Sequence, residues 1–321
     1  MLVEQMSKEI GLPQDQILKI AKQASHAYKT YSIKKRSSAG YRTISHPSRI
    51  LKLLQSWLAT RFLSVLPIHE CVYSYRKDIS IKAHAAIHQS NNYLLRVDLT
   101  DFFPSITQKD IYNLLLANRE LYSPNLTDED FKFVLRVACK GNAITIGAPS
   151  SPVLSNAILY NFDVIWAKRA KELSVIYTRY ADDLYFSTNE PNVLSKVLEE
   201  VRENLNTLSW PKLRINELKT IFTSRKRKRV VTGLVLTSTN KLSIGRDKKR
   251  HVKSLIHQFI LGKLSESDAS YLKGYLSYAV NVEPSFMESL KTKYGEGFLV
   301  ELSKLKYVTR KRKYTTSKTK K

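Results

Sequence analysis

Two adjacent aspartates, Asp182 and Asp183, stand between two short apolar runs rich in branched and aromatic residues. The flanking runs, 175–177 and 184–186, predict a strand, a tight turn and a second strand. Neighbouring carboxylates repel each other and raise each other's pKa. A bound divalent cation would relieve that repulsion, whereas an acidic surface turn is the alternative for such a pair taken alone.

A third carboxylate, Asp98, interrupts an apolar run over 94–99 that predicts a mostly buried strand. A carboxylate among such residues needs a partner that offsets its desolvation. A metal shared with Asp182 and Asp183 is one candidate, and backbone amides at a strand end are the other. Two hard cations held by carboxylates can activate a hydroxyl and stabilise the leaving oxygen of an in-line phosphoryl transfer.

Taken together, these acidic segments and their neighbours resemble the reverse transcriptase family, in the family's own order and spacing. The resemblance covers most of the chain, from about Tyr41 to about Tyr294. The matching motifs are the first catalytic strand (Asp98, Phe102, Phe103), the GxPxSPxLxN segment (Gly147 to Asn156), the YxDD box (Tyr180 to Asp183) and the VTG segment that marks bacterial retron enzymes (Val231 to Leu234).

The resemblance implies an α+β protein with the right-hand polymerase fold, in which an antiparallel palm sheet lies between fingers and a helical thumb. We expect an N-terminal helix and fingers over 1–92, and a palm over 93–224 with a fingers insertion at about 107–150. A thumb with a preceding hairpin is expected over 225–303. The tail over 304–321 is basic and predicted to be disordered unless nucleic acid orders it.

The resemblance also implies RNA-templated DNA synthesis, with Asp98, Asp182 and Asp183 as the catalytic residues and as ligands of two Mg²⁺ ions. A primer hydroxyl then attacks the α-phosphate of a deoxynucleoside triphosphate. Retron enzymes start from the 2′-hydroxyl of a guanosine in a structured non-coding RNA of the msr-msd type and leave branched RNA–DNA, termed msDNA.

The expected partners are therefore that RNA, the DNA product, the deoxynucleoside triphosphates and an effector protein in anti-phage defence. The effector is expected in trans, because 321 residues leave no room for a fused one. Two other functions stay open. One is a reverse transcriptase of another bacterial group, similar to group II intron maturases, and the other is a catalytically idle RNA-binding scaffold.

A second set of residues is predicted to bind the nucleotide. Arg42, on the second strand of a predicted hairpin over 31–47, offers a planar fork of donors to phosphate, or belongs to a solvated basic hairpin. Lys219 is a candidate proton donor to pyrophosphate, or a surface lysine. The full set is Arg42, Asp101, Phe102, Phe103, Ile146, Gly147 and Lys219.

Within that set the resemblance gives three positions particular roles. Phe103 stands where the family blocks the sugar 2′-hydroxyl, while Phe102 suits core packing better. Gly147 lets the backbone approach the base and sugar. The residue before it is commonly Gln in reverse transcriptases and here is Ile146, so a side-chain amide that would touch the nucleotide is missing.

The charge of the chain predicts a polyanionic partner. It carries 53 Lys and Arg against 28 Asp and Glu, a net charge of +25 with a pI near 9.9. His88 is either structural or an RNA contact, and His84 stands where retron enzymes carry Asn. The candidates for nucleic-acid contact are His88, Arg225, Lys226, Arg227, Lys228, Arg229, Thr232, Gly233, Lys248, Lys249 and Arg250.

Periodicity gives the remaining elements. It predicts amphipathic helices over 7–30, 51–66 and 193–208, two helices over 111–140 with a cap at Thr127, a hairpin from 230–236 and 241–244, and three thumb helices after Arg246. Two cysteines, far apart in sequence, predict free thiols in a reducing cytosol. An apolar run near the roughly 20 residues of a membrane helix is missing, so a cytoplasmic location is expected.

Overall fold

A computed structural model describes residues 1–34 and 40–305 of the chain. The predicted basic turn at 35–39 and the tail after residue 305 lie outside the described residues. The N-terminal part consists of short helices and one antiparallel hairpin: α1 (Leu2–Ile10), α2 (Gln14–Lys22), β1 (Tyr28–Lys34), β2 (Tyr41–Pro47), α3 (Arg49–Trp57) and α4 (Ile81–Ile87).

The single helix predicted over 7–30 is wrong. Gly11 ends α1 with a φ of 77°, a left-handed conformation that glycine adopts without a Cβ penalty, and Pro13 immediately precedes α2. The last residues of the predicted helix already belong to β1. The predicted hairpin over 31–47 is confirmed by the pairing of β1 with β2. The helix predicted over 51–66 is α3 continued by a π turn and a 3₁₀ turn to Val65.

The middle of the chain forms a four-stranded antiparallel sheet, the central sheet, with helices against it. Its elements are β3 (Tyr93–Asp98), α5 (Phe102–Ser105), α6 (Gln108–Ala117), α7 (Asp128–Ala138), α8 (Ser151–Ala157), α9 (Tyr160–Glu172), β4 (Ile176–Tyr180), β5 (Asp183–Thr188), α10 (Val193–Thr207) and β6 (Ile221–Ser224). The strand order is β4-β5-β3-β6.

Apolar side chains from the helices and the central sheet share one core. Phe186 of β5 lies against Trp166 of α9 and stacks on Tyr177 of β4, with ring centroids 5.3 and 4.9 Å apart. One stripe of α10 is buried in the same core, as its periodicity predicts. Thr127 forms the predicted cap of α7, a capping box with Asp130. The central sheet is therefore rigidly backed on one side.

The C-terminal part has a second core, formed by a three-stranded sheet and helices. Its elements are β7 (Arg229–Val231), β8 (Leu234–Leu236), β9 (Leu242–Ser243), α11 (Arg246–Ile260), α12 (Glu266–Val282), α13 (Pro284–Tyr294) and α14 (Gly297–Lys304). Leu94 and Tyr185 of the central sheet, with Ala85 of α4, pack into this core. The helices of this part are thus anchored to the central sheet.

Two predictions for the C-terminal part need correction. The stretch 230–236 is not one strand of a hairpin, because it folds back at Thr232 and Gly233, whose φ values are 45° and 85°. Two successive positive φ values are typical of the tight type I′ turn, so Gly233 is a turn glycine. Four helices rather than three follow Arg246, because Gly295 ends α13 with a φ of 76°.

Arg229, predicted to contact nucleic acid, is fully buried. Its guanidinium donates to the carbonyl of Asn91, before β3, and to the carbonyl of Thr237 at 2.9 Å. Arg225 likewise donates to the carbonyl of Ser90 at 2.9 Å. The two ends of the basic run therefore join the three-stranded sheet to the central sheet, and the interpretation of Arg229 as a nucleic-acid contact is wrong.

Cys71 and Cys139 are both free and buried, as predicted. Over residues 1–34 and 40–305, none of the helices has the length and apolar character needed to cross a bilayer. The division of the chain into four segments stays a prediction.

The first prediction concerns this basic run. Arg229→Ala should lower the free energy of unfolding by on the order of 3 kcal/mol, because two buried carbonyls lose their donor. The exposed neighbour Arg227→Ala should change it by less than about 0.5 kcal/mol. Urea denaturation of both variants measures the difference. Equal, small effects would contradict the structural role of Arg229.

Candidate active site

The register of the central sheet brings the three predicted aspartates together. Asp98, the last residue of β3, lies directly opposite Asp183, the first residue of β5. Residues opposed in this way have Cα atoms about 4.5–5.5 Å apart. The amide of Leu99 donates to the carbonyl of Asp182 at 3.0 Å. Residues 84 positions apart in sequence (182 minus 98) thus share one end of the sheet.

A buried ion pair fixes the turn that carries Asp182. Ala181 has a φ of 55°, and its carbonyl accepts from Arg179 at 3.3 Å. Arg179 and Asp163 are both fully buried and lie 2.6 Å apart, Nη2 to Oδ2. Arg179 also donates to the carbonyl of Asn156, in the predicted GxPxSPxLxN segment, at 2.9 Å. The sequence analysis missed this pair, although an arginine between apolar residues of a strand implies a buried acid.

Two neutral histidines support the same hairpin from α4 and the residue after it. Nε2 of His84 and Nε2 of His88 both lie 2.7 Å from the hydroxyl of Thr178, and Nδ1 of His88 lies 2.7 Å from that of Ser187. Burial lowers the pKa of each histidine to about 3. His84 stacks against Tyr180, with centroids 5.7 Å apart. His88 is structural, so its interpretation as an RNA contact is wrong.

The aspartates lie in an environment that disfavours their ionised forms. Burial, and then the neighbouring Asp98, raises the pKa of Asp182, in spite of its own backbone hydrogen bond. Burial raises the pKa of Asp183 to about 6, with Arg96 opposing and the other two aspartates adding to the rise. Arg96 Nε lies 3.1 Å from Asp183 Oδ1. Sequence reasoning missed Arg96, which β3 places two residues before Asp98.

Lys219 lies where the resemblance places it, close to the aspartates. Its Nζ donates to Asp98 Oδ1 at 2.9 Å. The backbone positions it, because the amide of Asn216, just before the 3₁₀ turn Glu217–Lys219, donates to the carbonyl of Asp98 at 2.7 Å. With Arg96 on the other side, two cations flank the three carboxylates.

The donor set was compared with what a metal requires. Three carboxylates at one place suit a hard cation, and Asp183 Oδ1 is buried without a hydrogen bond in the described part of the chain. Over the same residues, however, no group of three or more His, Cys, Asp and Glu is arranged as a ready ligand cluster. Lys219 on Asp98 and Arg96 against Asp183 account for this arrangement.

A cleft of about 290 Å³ opens beside Asp182. Six of the seven predicted nucleotide-binding residues line it, and four further lining residues that face it, Tyr41, Thr43, Tyr75 and Pro104, were not predicted. Its full lining is Tyr41, Arg42, Thr43, Tyr75, Leu99, Asp101, Phe102, Phe103, Pro104, Ile146, Asp182 and Lys219.

Gly147, the seventh predicted residue, serves a different contact. Its φ is 112°, and a Cβ built there would lie 2.7 Å from the carbonyl oxygen of Ser45 on β2. The amide of Ser45 donates to the carbonyl of Ile146 at 3.0 Å. A glycine is therefore needed for the close approach of the N-terminal hairpin, which carries Arg42, to the helices of the central sheet.

The remaining nucleic-acid candidates differ in how free they are. Lys249 is held by Glu283, with Nζ 2.5 Å from Oε1, and Arg250 lies 2.8 Å from Asp247. Thr232 and Gly233 form the turn between β7 and β8. The exposed cations among the candidates are Lys226, Arg227, Lys228, Lys248 and Arg250.

An antiparallel sheet with aspartates at one end, a basic hairpin across a cleft and a helical C-terminal part define a right-hand polymerase. The reverse transcriptase (RNA-dependent DNA polymerase) family model matches residues 33–259. The chain therefore belongs to the reverse transcriptase family, as an RNA-directed DNA polymerase similar over nearly its whole length to retron enzymes.

Three of these relatives come from Escherichia coli. The retron Ec83 reverse transcriptase is 37% identical over 91% of this chain and 94% of its own. The retron Ec86 enzyme is 32% identical over 91% and 90%, and the retron Ec73 enzyme is 30% identical over 81% and 84%. A solved apo telomerase from Candida tropicalis, truncated from the C-terminal domain, has a TM-score of 0.47 and 13% identity over 67% of this chain and 54% of its own, too low to carry an argument.

The second prediction follows from the electrostatics of Asp183. Because its pKa is raised from 3.8 to about 6, the ionised form present at pH 7 is the less stable one in the folded protein. Asp183→Asn should therefore raise the free energy of unfolding at pH 7, by up to about 3 kcal/mol. The gain over the natural protein should shrink as pH falls from about 7 towards about 4, where Asp183 itself becomes neutral.

Thermal or urea unfolding across that pH range measures the difference. Asp15→Asn, at an exposed position on α2, is the control for loss of one negative charge. A gain that stays constant across the range would show that Asp183 is not strained by its ionisation.

Proposed function

We propose that this reverse transcriptase makes DNA on its own structured non-coding RNA, with Asp98, Asp182 and Asp183 holding two Mg²⁺ ions. The observation that supports this most directly is the sheet register that sets Asp98 opposite Asp183, next to the turn at Asp182. When bound, the ions would promote loss of the primer hydroxyl proton and stabilise the departing pyrophosphate. The raised pKa values of Asp182 and Asp183 fit carboxylates that face cations during the reaction.

The residues of the cleft have separate tasks in this proposal. Arg42 is exposed on the hairpin opposite Asp182 and binds the triphosphate with its guanidinium. Lys219 leaves Asp98 when that carboxylate takes a cation, and its ammonium group then neutralises or protonates the departing pyrophosphate. The reach of Lys219 to Asp98 shows that its side chain extends to this end of the sheet.

Sugar selection is assigned to Phe103. It is half-buried at the cleft, next to Phe102, which is buried and packs edge-on against it with centroids 5.5 Å apart. A ring held in place by a buried neighbour leaves little room for a 2′-hydroxyl and offers it no hydrogen bond. Ile146 lines the same cleft with an apolar surface, so polar contacts to the nucleotide must come from other residues.

RNA binding is assigned to the exposed cations at 226–228 and on the first turns of α11. These positions project from the three-stranded sheet and from the helix that follows it. The net charge of +25 favours a strongly anionic partner whose binding weakens with salt. We assign priming to a guanosine 2′-hydroxyl of that RNA, and action in the cytoplasm in anti-phage defence with an effector protein in trans, on the similarity to retron enzymes.

The third prediction tests the aspartates. Asp182→Ala should reduce incorporation of labelled deoxynucleotides on the co-purifying RNA by at least about a thousandfold, because a ligand of the reacting centre is removed. Binding of that RNA, measured by filter retention, should stay within about twofold, because the exposed cations are untouched. A variant that still extends a primer would refute the assignment, and an idle scaffold would show no synthesis in either protein.

The fourth prediction tests the priming site. DNA made on the co-purifying RNA should remain joined to a guanosine after ribonuclease digestion, and a 2′-5′-specific debranching enzyme should release it. Gel mobility before and after debranching measures this. As a control, the same DNA treated with alkali loses the RNA but keeps the branch nucleotide. Mobility that debranching leaves unchanged would argue for a reverse transcriptase that uses an ordinary 3′-hydroxyl primer.

A further inference from the structure

The segment 71–75 runs beside the aspartate hairpin as a short additional strand. Val72 forms a parallel bridge with Arg179 of β4. The amide of Arg179 donates to the carbonyl of Cys71 at 2.9 Å, and the amide of Tyr73 donates to the carbonyl of Arg179 at 2.8 Å. This segment is therefore fixed to the strand that leads into Asp182.

Ser74 ties the segment to the turn itself. Its hydroxyl accepts from the amide of Ala181 at 2.9 Å and lies 3.1 Å from Asn156 Oδ1. Asn156 Nδ2 donates to the carbonyl of Ser74 at 2.8 Å. Ser74 is fully buried. These bonds set the position of the residue after Ser74 relative to Asp182.

That next residue, Tyr75, faces the cleft. It is 52% exposed and has a φ of 56°, a conformation that is rare for an aromatic residue and therefore needs support from its surroundings. Over residues 1–34 and 40–305 its hydroxyl makes no hydrogen bond. Desolvation within the cleft raises the pKa of the Tyr75 phenol, Asp182 raises it further and Arg42 opposes both, which places the phenol within electrostatic range of the last two.

We propose that Tyr75 is a further substrate-contacting residue, whose hydroxyl donates a hydrogen bond to the triphosphate of the incoming deoxynucleotide. This inference rests on the proposed nucleotide-binding role of the cleft. A neutral phenol is a donor, and a hydrogen bond to an anionic oxygen is stronger than one to a neutral acceptor. Arg42 and Asp182 mark the two ends of the region in which phosphate and cation would lie.

The position of Tyr75 also answers the loss of polarity at Ile146. Both residues line the same cleft, and the isoleucine offers nothing to a polar group. The backbone of the segment 71–75 brings a hydroxyl into that cleft from the opposite direction in sequence. Ser74 is the positioning residue for this contact, because it holds the segment against the turn of Asp182.

The test is steady-state kinetics of Tyr75→Phe on the co-purifying RNA, with deoxynucleotides and with chain-terminating dideoxynucleotides. Removal of one hydrogen bond to a charged group should raise KM about three- to tenfold for both substrates, with kcat within about twofold. Both substrates should respond alike because they share the triphosphate. Tyr160→Phe, a half-buried tyrosine on the outer helix α9, is the matched control and should change neither constant.

Two results would overturn the proposal. One is an unchanged KM in Tyr75→Phe. The other is a rise in KM for deoxynucleotides alone, which would place the hydroxyl on the sugar 3′-hydroxyl instead of the triphosphate. Failure of the underlying function is separable, because it would appear as synthesis by Asp182→Ala, whatever the behaviour of Tyr75→Phe.

Discussion

Three carboxylates crowd one end of a mostly buried sheet, and much of the surrounding structure keeps them there. Pairing of β3 with β5 sets Asp98 opposite Asp183, so their repulsion cannot be relieved by moving apart. Arg96 and Lys219 reduce that repulsion from two sides, yet the pKa of Asp183 still lies near 6. The backbone therefore imposes an arrangement that the carboxylates alone would not adopt, which is typical of a functional site.

Support beneath the aspartates comes in a charged and a neutral form. The Arg179–Asp163 pair is dehydrated and internally balanced, so it fixes Ala181 without adding net charge. His84 and His88, with pKa values near 3, hold Thr178 as neutral groups at any pH at which polymerases work. A cationic support in their place would have changed the affinity of the aspartates for metal, so the hairpin is held by groups that leave its charge alone.

Sequence alone located the aspartates, because acidic residues between β-prone runs have few explanations other than a site. It did not distinguish Arg229 from its exposed neighbours, since only the pairing of β7 shows which member of a basic run points inward. Arg96 and Ser74 carry no local pattern, and their roles depend on contacts between remote segments. The break between α1 and α2 could have been read from Gly11 and Pro13, which end and start helices for conformational reasons.

The cleft is assembled mainly by backbone contacts, which explains how it tolerates an unusual side chain at Ile146. Ser45 of β2 bonds to the carbonyl of Ile146, and the missing Cβ of Gly147 lets that strand approach. Arg42 lies three residues earlier on the same strand, so its distance from the aspartates depends on this approach and not on the isoleucine side chain. On the other side, Ser74 sets the segment that carries Tyr75. A pocket framed in this way can exchange one side chain for another while its charged groups stay in place.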